Sequence, residues 1–302
     1  MVDISTTIGS LRLKNPTMLA SGIMGEDAGS MQRIIACGAG AIVTKSIGVQ
    51  ARTGYPNPTV IETEHGILNA MGLPNPGIDE FGQEMNQLKK STSPIIGSIY
   101  GATAEEFTIL AEKMQRYGAA AVELNVSCPH AKRYGLEIGC DALLVQAITS
   151  FVKKKIDIPV FVKISPNVTN IVEIAQAAEK GNADAIVAIN TVKAMKIDLE
   201  VKKPVLANIT GGYSGKAVKP IGIRCVYEIS QNVHIPVIGV GGVTTGEDAI
   251  EYFMAGASAV QLGSAVYYRG PEVFQQVCEE IRQWMKTHGY KTLSELIGVA
   301  HQ

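Results

Sequence analysis

Residues 236–265 read PVIGVGGVTTGEDAIEYFMAGASAVQLGSA, and their pattern is the clearest indication of the fold class. Two short apolar runs, Pro236–Gly242 and Ala259–Ala265, enclose a longer segment with a mixed pattern. Nearly continuous apolar runs are typical of strands buried on both faces of a parallel sheet, whereas half-exposed strands alternate. The segment therefore predicts two parallel strands joined by a crossover helix.

The same pattern continues along the rest of the chain. Six further apolar runs precede this segment: Pro16–Ser21, Ala41–Ser46, Pro94–Ile99, Ala121–Ser127, Pro159–Ser165 and Ala185–Thr191. Helical patterns fall between the runs, for example over Ala104–Tyr117 and Val168–Gly181. Eight strands with intervening helices fit a (β/α)8 TIM barrel better than an open doubly wound sheet.

Several segments depart from a minimal barrel. Residues 3–15 predict an N-terminal β-hairpin that caps the bottom of the barrel. Residues 47–80 and 192–220 are too long for bare connections, so we expect them to be inserted loops with structure of their own. No repeat, low-complexity tract or linker interrupts the chain, which predicts a single domain over residues 1–302.

Charge and cysteine content narrow the functional class. The 27 basic and 28 acidic residues leave a net charge of −1, which argues against nucleic acid or an anionic membrane as the main partner. The five cysteines are scattered without a C-x-x-C pair, which disfavours a disulfide framework, zinc or an iron–sulfur cluster held by this chain alone. The five histidines lack metal-ligand spacing, so no metal is predicted. Without a secretion signal or a long apolar span, we expect a cytoplasmic protein.

Polar residues and glycines follow the predicted strands, at the end where barrels of this kind place their chemistry. They are Ser21, Lys45, Ser46, Asn125, Lys163, Asn190, Thr191, Gly241, Gly242, Gly263 and Ser264. Their convergence predicts a small-molecule site at one rim of the barrel. The glycines after the last two strands favour a phosphate, because they let backbone N–H groups approach an oxyanion. The alternative is that these glycines only form turns.

Three residue types are candidates for chemistry at this rim. Cys128 follows the fourth predicted strand, and its alternative role is that of a small buried cysteine. Lys45 and Lys163 end strands in apolar surroundings, where a lysine can serve as a Schiff-base nucleophile or as a fixed cation. Amide groups that could face a heterocycle belong to Asn69, Asn125 and Asn190.

Seven motifs along the chain resemble those of dihydroorotate dehydrogenases. They are NAMGLPNPG at 69–77, NVSCP at 125–129, VKISPN at 162–167, INT at 189–191, GGYSG at 211–215, IGVGGV at 238–243 and QLGS at 261–264. They occur in the family's order over nearly the whole chain, which makes the resemblance specific. Position 128 is a cysteine, which resembles the soluble class 1 enzymes of this family, whereas other branches of the family have serine there. The sequence around residues 190–191 and 219–227 resembles the NAD-linked B type of class 1.

The resemblance implies an FMN-dependent barrel that oxidises dihydroorotate to orotate in pyrimidine synthesis. Cys128 would be the general base that removes the C5 proton while C6 delivers a hydride to the flavin. FMN would contact Ser21, Lys45, Ser46, Asn125, Lys163, Ile189, Gly215, Gly241, Gly242, Gly263 and Ser264. The substrate would contact Lys45, Asn69, Ala70, Met71, Gly72, Leu73, Asn125, Asn190 and Thr191.

The resemblance also implies a partner subunit with FAD and a [2Fe–2S] cluster that passes electrons to NAD, around a homodimer core within a heterotetramer. His130 departs from the pattern, since dihydroorotate enzymes usually have asparagine there and Cys-Pro-His also occurs in dihydropyrimidine dehydrogenases. A dihydropyrimidine (dihydrouracil/uracil) dehydrogenase-like flavoprotein is therefore the alternative function. A Schiff-base lyase that uses Lys163 and a non-catalytic barrel are further alternatives, but each explains fewer of the strand-end residues.

Overall fold

A closed barrel of parallel strands forms the centre of the computed structural model, which describes residues 2–126 and 136–301. In chain order, barrel strands 1 to 8 are Thr17–Leu19, Ala41–Val43, Ile95–Ile99, Ala121–Asn125, Val160–Ile164, Ala185–Ala188, Val237–Val240 and Ala257–Leu262. Strand 8 pairs in parallel with strand 1, Val260 opposite Thr17, and this pairing closes the barrel. The predicted (β/α)8 barrel is confirmed.

Seven of the eight strands end earlier than the apolar runs that predicted them, and the third ends at Ile99 as its run does. The run Ala41–Ser46 yields a strand that ends at Val43, and the run Ala185–Thr191 yields one that ends at Ala188. Beyond these residues the regular strand ends, although single hydrogen bonds between neighbouring segments continue, for example from the Ile189 N–H to the Val240 carbonyl at 3.1 Å. The residues remain buried or partly buried, and sequence hydrophobicity predicts this burial and not the end of the regular strand.

Helices pack around the barrel. The α-helices are Ala28–Ala36, Ile78–Gln87, Ala104–Arg116, Leu136–Gly139, Ala142–Lys153, Ile171–Lys180, Lys219–Ser230, Gly246–Met254, Ser264–Arg269 and Val273–Thr287, and short 3-10 helices cover Lys216–Val218, Leu293–Glu295 and Val299–His301. The helix predicted over Val168–Gly181 begins only at Ile171. Its N-cap is Asn170, whose side chain accepts a hydrogen bond from the backbone N–H of Glu173 at 3.3 Å.

The predicted N-terminal hairpin closes the bottom of the barrel. Thr6–Ile8 pairs antiparallel with Leu11–Leu13. Ile8 and Leu13 are fully buried in the same apolar cluster as the barrel interior. The apolar part of that interior consists of Met18, Ala41, Val43, Ile96, Ala121, Phe161, Ala185, Val187, Ile238 and Ala259. A packed apolar interior leaves room for a ligand only at the opposite end.

The two long insertions combine into one antiparallel sheet. Its strands lie in the order Val192–Ala194, Gly211–Ser214, Gly66–Asn69 and Val60–Thr63. A further short hairpin pairs Ile197–Asp198 with Lys203–Pro204. In the part of the chain that the structure describes, no helix is long and apolar enough to cross a membrane.

Candidate active site

A cavity of about 390 Å³ lies at the carboxyl ends of the barrel strands. Most of the residues predicted from sequence line it: Ser21, Lys45, Ser46, Asn69, Met71, Gly72, Leu73, Asn125, Lys163, Ile189, Asn190, Thr191, Gly241, Gly242, Gly263 and Ser264. Parallel strands direct their carboxyl ends to one rim, so residues far apart in sequence meet there.

Three predicted site residues are not part of the cavity wall that the structure describes. Ala70 is buried, and its backbone N–H donates to the Thr59 carbonyl at 2.7 Å, while its chain neighbours line the cavity. Gly215 lies directly behind the wall, because its carbonyl oxygen is 2.8 Å from the position that a Cβ atom on Gly242 would take. Cys128 lies outside the described residues.

Both predicted lysines point inward and are almost fully buried. The Nζ atom of Lys45 forms an ion pair with Oε1 of Glu26 at 2.9 Å, and Glu26 itself is largely exposed. The Nζ atom of Lys163 donates a hydrogen bond to Oε1 of Gln261 at 3.0 Å. Each ammonium group has a carboxylate partner, Glu26 for Lys45 and Glu123 for Lys163, and each also lines the cavity, where it can meet an anionic group of a ligand.

A chain of hydroxyl and amide groups joins the lysine side of the cavity to the asparagines. Oγ of Ser46 lies 3.1 Å from Oγ of Ser21 and 2.9 Å from Oγ of Ser98. Nδ2 of Asn125 donates to Oγ of Ser46 at 3.0 Å, and Asn190 donates to Asn125 at 3.4 Å. These contacts fix the orientations of the two amide groups at the cavity wall.

Asn75 organises the loop that carries the predicted substrate contacts. Its Nδ2 donates to the Leu73 carbonyl at 2.9 Å and to the Tyr100 hydroxyl at 2.8 Å. Its Oδ1 accepts from the backbone N–H groups of Gly48 at 3.2 Å and Gly77 at 2.9 Å. Leu73 has a φ of +58°, which is uncommon for a residue with a side chain, so the loop depends on this support.

Glycines form the part of the rim that is predicted to bind phosphate. Gly241 and Gly242 have φ angles of +131° and +69°, which favour glycine. The fully buried Tyr252 supports them from behind, since its hydroxyl donates to the Gly241 carbonyl at 2.7 Å. Burial raises the pKa of Tyr252, which keeps the hydroxyl a hydrogen-bond donor.

An ion pair and hydrogen bonds at Asp248 stabilise the same rim. Nζ of Lys219 donates to Oδ1 of Asp248 at 2.8 Å. Oδ2 of Asp248 accepts hydrogen bonds from the backbone N–H groups of Thr244 and Thr245, each at 2.9 Å. Burial alone would raise the pKa of Asp248, but these hydrogen bonds outweigh it and hold the pKa below its ordinary value. Asp248 is therefore anionic at neutral pH.

The sequence analysis missed several residues of the site. Glu123 and Gln261 lie in the barrel interior, and their signal was a polar residue inside an otherwise apolar strand. Tyr213 and Tyr267 also line the cavity, but they come from the insertion sheet and from a helix. Tyr213 belongs to the GGYSG motif that carries the resemblance, but neither tyrosine follows a barrel strand, so the strand-end argument does not place either of them at the cavity. Within residues 2–126 and 136–301, no group of three or more His, Cys, Asp or Glu side chains could hold a metal ion.

The fold and the site together define a (β/α)8-barrel protein whose cavity, at the carboxyl ends of the strands, is lined by buried lysines and by asparagines. The sequence profile of the family described as dihydroorotate dehydrogenase matches residues 3–285. The chain belongs to the dihydroorotate dehydrogenase family.

Two curated relatives are similar over nearly their full length. The protein from Thermoplasma volcanium named dihydroorotate dehydrogenase B (NAD(+)), catalytic subunit, is 51% identical over 99% of each chain. The protein of the same name from Methanocaldococcus jannaschii is 52% identical over 99% of this chain and 98% of its own. Among solved structures, the dihydroorotate dehydrogenase of Eimeria tenella in complex with ferulenol matches with a TM-score of 0.88 and 22% identity, over 99% of this chain and 89% of that one. This structural similarity supports the fold.

Proposed function

We propose that this chain oxidises (S)-dihydroorotate to orotate in pyrimidine biosynthesis, as the FMN-dependent catalytic subunit of an NAD-linked dihydroorotate dehydrogenase. The proposal rests on the identity of 51% and 52% to two full-length relatives named as such catalytic subunits. The cavity supports it, because buried lysines and amides can match the carboxylate and the ring of orotate.

The residues at the cavity fit FMN. Side chains are lacking at Gly241, Gly242 and Gly263, which leaves backbone N–H groups free to approach a phosphate. Ser264 would add its hydroxyl, and Lys163 would lie against the flavin ring and favour negative charge there. The remaining contacts would come from Ser21, Lys45, Ser46, Asn125, Ile189 and Gly215. When bound, FMN supplies a hydride acceptor.

The substrate would lie beside the amides of the cavity. Lys45 would pair with the carboxylate of dihydroorotate, since its ammonium has further N–H groups beyond the one bonded to Glu26. Ring contacts would come from side chains or backbone groups of Asn69, Ala70, Met71, Gly72, Leu73, Asn125, Asn190 and Thr191. Together these groups would hold C6 toward the hydride acceptor and keep water from the reacting atoms.

Cys128 is the proposed general base for the C5 proton. It follows Asn125 by three residues in the chain, and Asn125 lines the cavity. A thiol has a reference pKa of about 8.5, so a modest stabilisation of the thiolate allows it to accept a proton near neutral pH.

Electrons would leave this chain through a partner subunit. The words "catalytic subunit" in the names of the relatives support such a partner. We propose that it carries FAD and a [2Fe–2S] cluster and reduces NAD in the cytoplasm. The catalytic chain would be a single domain over residues 1–302, present as a homodimer core within a heterotetramer.

An anaerobic absorbance experiment tests this function. The purified chain loaded with FMN should lose its flavin absorbance when dihydroorotate is added. Dihydrouracil tests the alternative that His130 suggests, a dihydropyrimidine dehydrogenase-like flavoprotein. Reduction by dihydrouracil and not by dihydroorotate would assign the chain to that alternative.

A cysteine substitution tests the base. Cys128→Ser should slow flavin reduction by roughly 10²–10⁴-fold at neutral pH, with partial recovery at high pH as the weaker acid ionises. Cys37→Ser is the matched control, because this thiol lies at the end of helix Ala28–Ala36 and away from the cavity. A normal rate in Cys128→Ser would remove the thiol from the mechanism.

A further inference from the structure

Three polar side chains from three barrel strands meet at the floor of the cavity. Nζ of Lys163 donates to Oε1 of Gln261 at 3.0 Å, and Nε2 of Gln261 donates to Oε2 of Glu123 at 2.7 Å. Nζ of Lys163 also lies 3.6 Å from Oε1 of Glu123. Lys163 and Gln261 line the cavity, whereas Glu123 lies below them.

Glu123 is the most deeply buried of the three. Its side chain has no exposed surface, and that of Lys163 is 6% exposed. Among the described residues, no group donates a hydrogen bond to Oε1 of Glu123, so its interaction there is the ion pair with Lys163. If Nζ moved up into the cavity, the buried carboxylate would lose its cation, which is strongly unfavourable.

Stability alone does not account for this arrangement. A buried ion pair is often no more stabilising than well-packed apolar side chains of the same volume. Apolar residues would not, however, hold an ammonium group at a set height in the cavity floor, nor would they offset its charge. Glu123 does both, since it is held in turn by Gln261.

We propose that Glu123 is a positioning residue that fixes Nζ of Lys163 at the cavity floor and weakens its positive field on the flavin. The inference rests on the proposed function, because it takes FMN as the occupant of the cavity. Reduction adds negative charge to the flavin ring, which Lys163 favours and Glu123 opposes. Glu123 therefore lowers the preference of the site for reduced over oxidised flavin.

The test is the midpoint potential of the bound flavin in Glu123→Gln, measured anaerobically against a redox dye. Glutamine keeps the shape and can still accept the hydrogen bond from Gln261. We expect the ratio of affinities for reduced and oxidised flavin to rise roughly tenfold, which is about +30 mV for a two-electron couple. A ratio within twofold of the wild type would overturn the proposal.

Matched variants separate charge from packing. Glu26→Gln removes the carboxylate that pairs with Lys45, the other cavity lysine. Because Glu26 is 60% exposed, water screens its charge, and the ratio of affinities for reduced and oxidised flavin should change less than about twofold. Glu123→Asp keeps the charge, so its ratio of affinities for reduced and oxidised flavin should stay within about twofold of the wild-type ratio. A shift in Glu123→Asp as large as in Glu123→Gln would assign the effect to packing and contradict the proposal.

A second variant covers the case in which Glu123→Gln does not fold. Glu123→Met removes the same negative charge with an apolar side chain of similar length and should raise the same ratio. An unchanged or lower ratio would contradict the proposal. A wild-type chain that binds no flavin, or whose flavin dihydroorotate does not reduce, would instead contradict the proposed function.

Discussion

The glycine rim of the cavity gives the sharpest prediction, which concerns Gly242→Ala. Gly242 has a φ of +69°, a conformation that costs an alanine about 1–2 kcal/mol. The new Cβ atom would lie 2.8 Å from the Gly215 carbonyl oxygen and 3.0 Å from the Lys219 backbone nitrogen. Both contacts are with backbone, so the rim itself must move.

The expected loss of stability is the sum of two terms. Forcing an extra methyl group into a packed site costs about 1–3 kcal/mol, and with the conformational term the total is about 2–5 kcal/mol. Moving the rim should also weaken FMN binding by roughly tenfold or more, since 1.4 kcal/mol corresponds to a factor of ten.

Gly289→Ala is the matched control for this prediction. Gly289 has a φ of +81°, but no described atom lies within 4 Å of its would-be Cβ. Gly289→Ala therefore has only the conformational cost of about 1–2 kcal/mol. Both substitutions reduce the entropy of the unfolded chain equally, so that effect cancels in the comparison. Urea unfolding and FMN titration of both variants provide the comparison. Equal destabilisation, with FMN affinity unchanged in Gly242→Ala, would refute the steric argument.

Two further predictions concern the supports of the site. Asn75→Ala removes the hydrogen bonds to Leu73 and Gly48 and leaves their buried backbone groups unpaired, which costs roughly 1–3 kcal/mol of stability. Titration should therefore show weaker orotate binding than in the wild type, with a smaller change in FMN affinity. Equal loss of both ligands would contradict a role confined to the substrate loop. Asp248→Asn removes a carboxylate whose pKa is lowered in the folded state, so it should be less stable than the wild type at pH 7. The difference in the free energy of unfolding should shrink as the pH falls below about 4, because the carboxyl group is then protonated in the unfolded state. If urea unfolding gives the same difference at every pH, the ion pair with Lys219 is excluded as its cause.

Local sequence was sufficient for the barrel and for the strand-end part of the cavity wall, whereas Met71, Gly72 and Leu73 were predicted from the family resemblance. Runs such as Ala121–Ser127 indicated strands buried on both faces, and in a parallel barrel the carboxyl ends of all strands meet. Ser21, Lys45 and Asn190 could therefore be predicted to share a rim without any knowledge of distances, and they do.

The two insertions show where this approach fails. Residues 47–80 and 192–220 were predicted as separate loops, yet Gly66–Asn69 pairs with Gly211–Ser214 in one sheet. Strand pairing between segments so distant in sequence depends on the barrel that brings them together, so no periodicity within either segment reveals it.

The residues that follow the apolar runs were enough to predict the barrel and the end at which its cavity lies. Tertiary packing, in contrast, brings Glu123, Lys163 and Gln261 together below the cavity and leaves Gly242 without room for a side chain beside Gly215. Hydrophobic patterning encodes the burial of each residue relative to its own strand or helix. Contacts across the barrel, by contrast, are set by strand register and closure, which involve the whole chain at once.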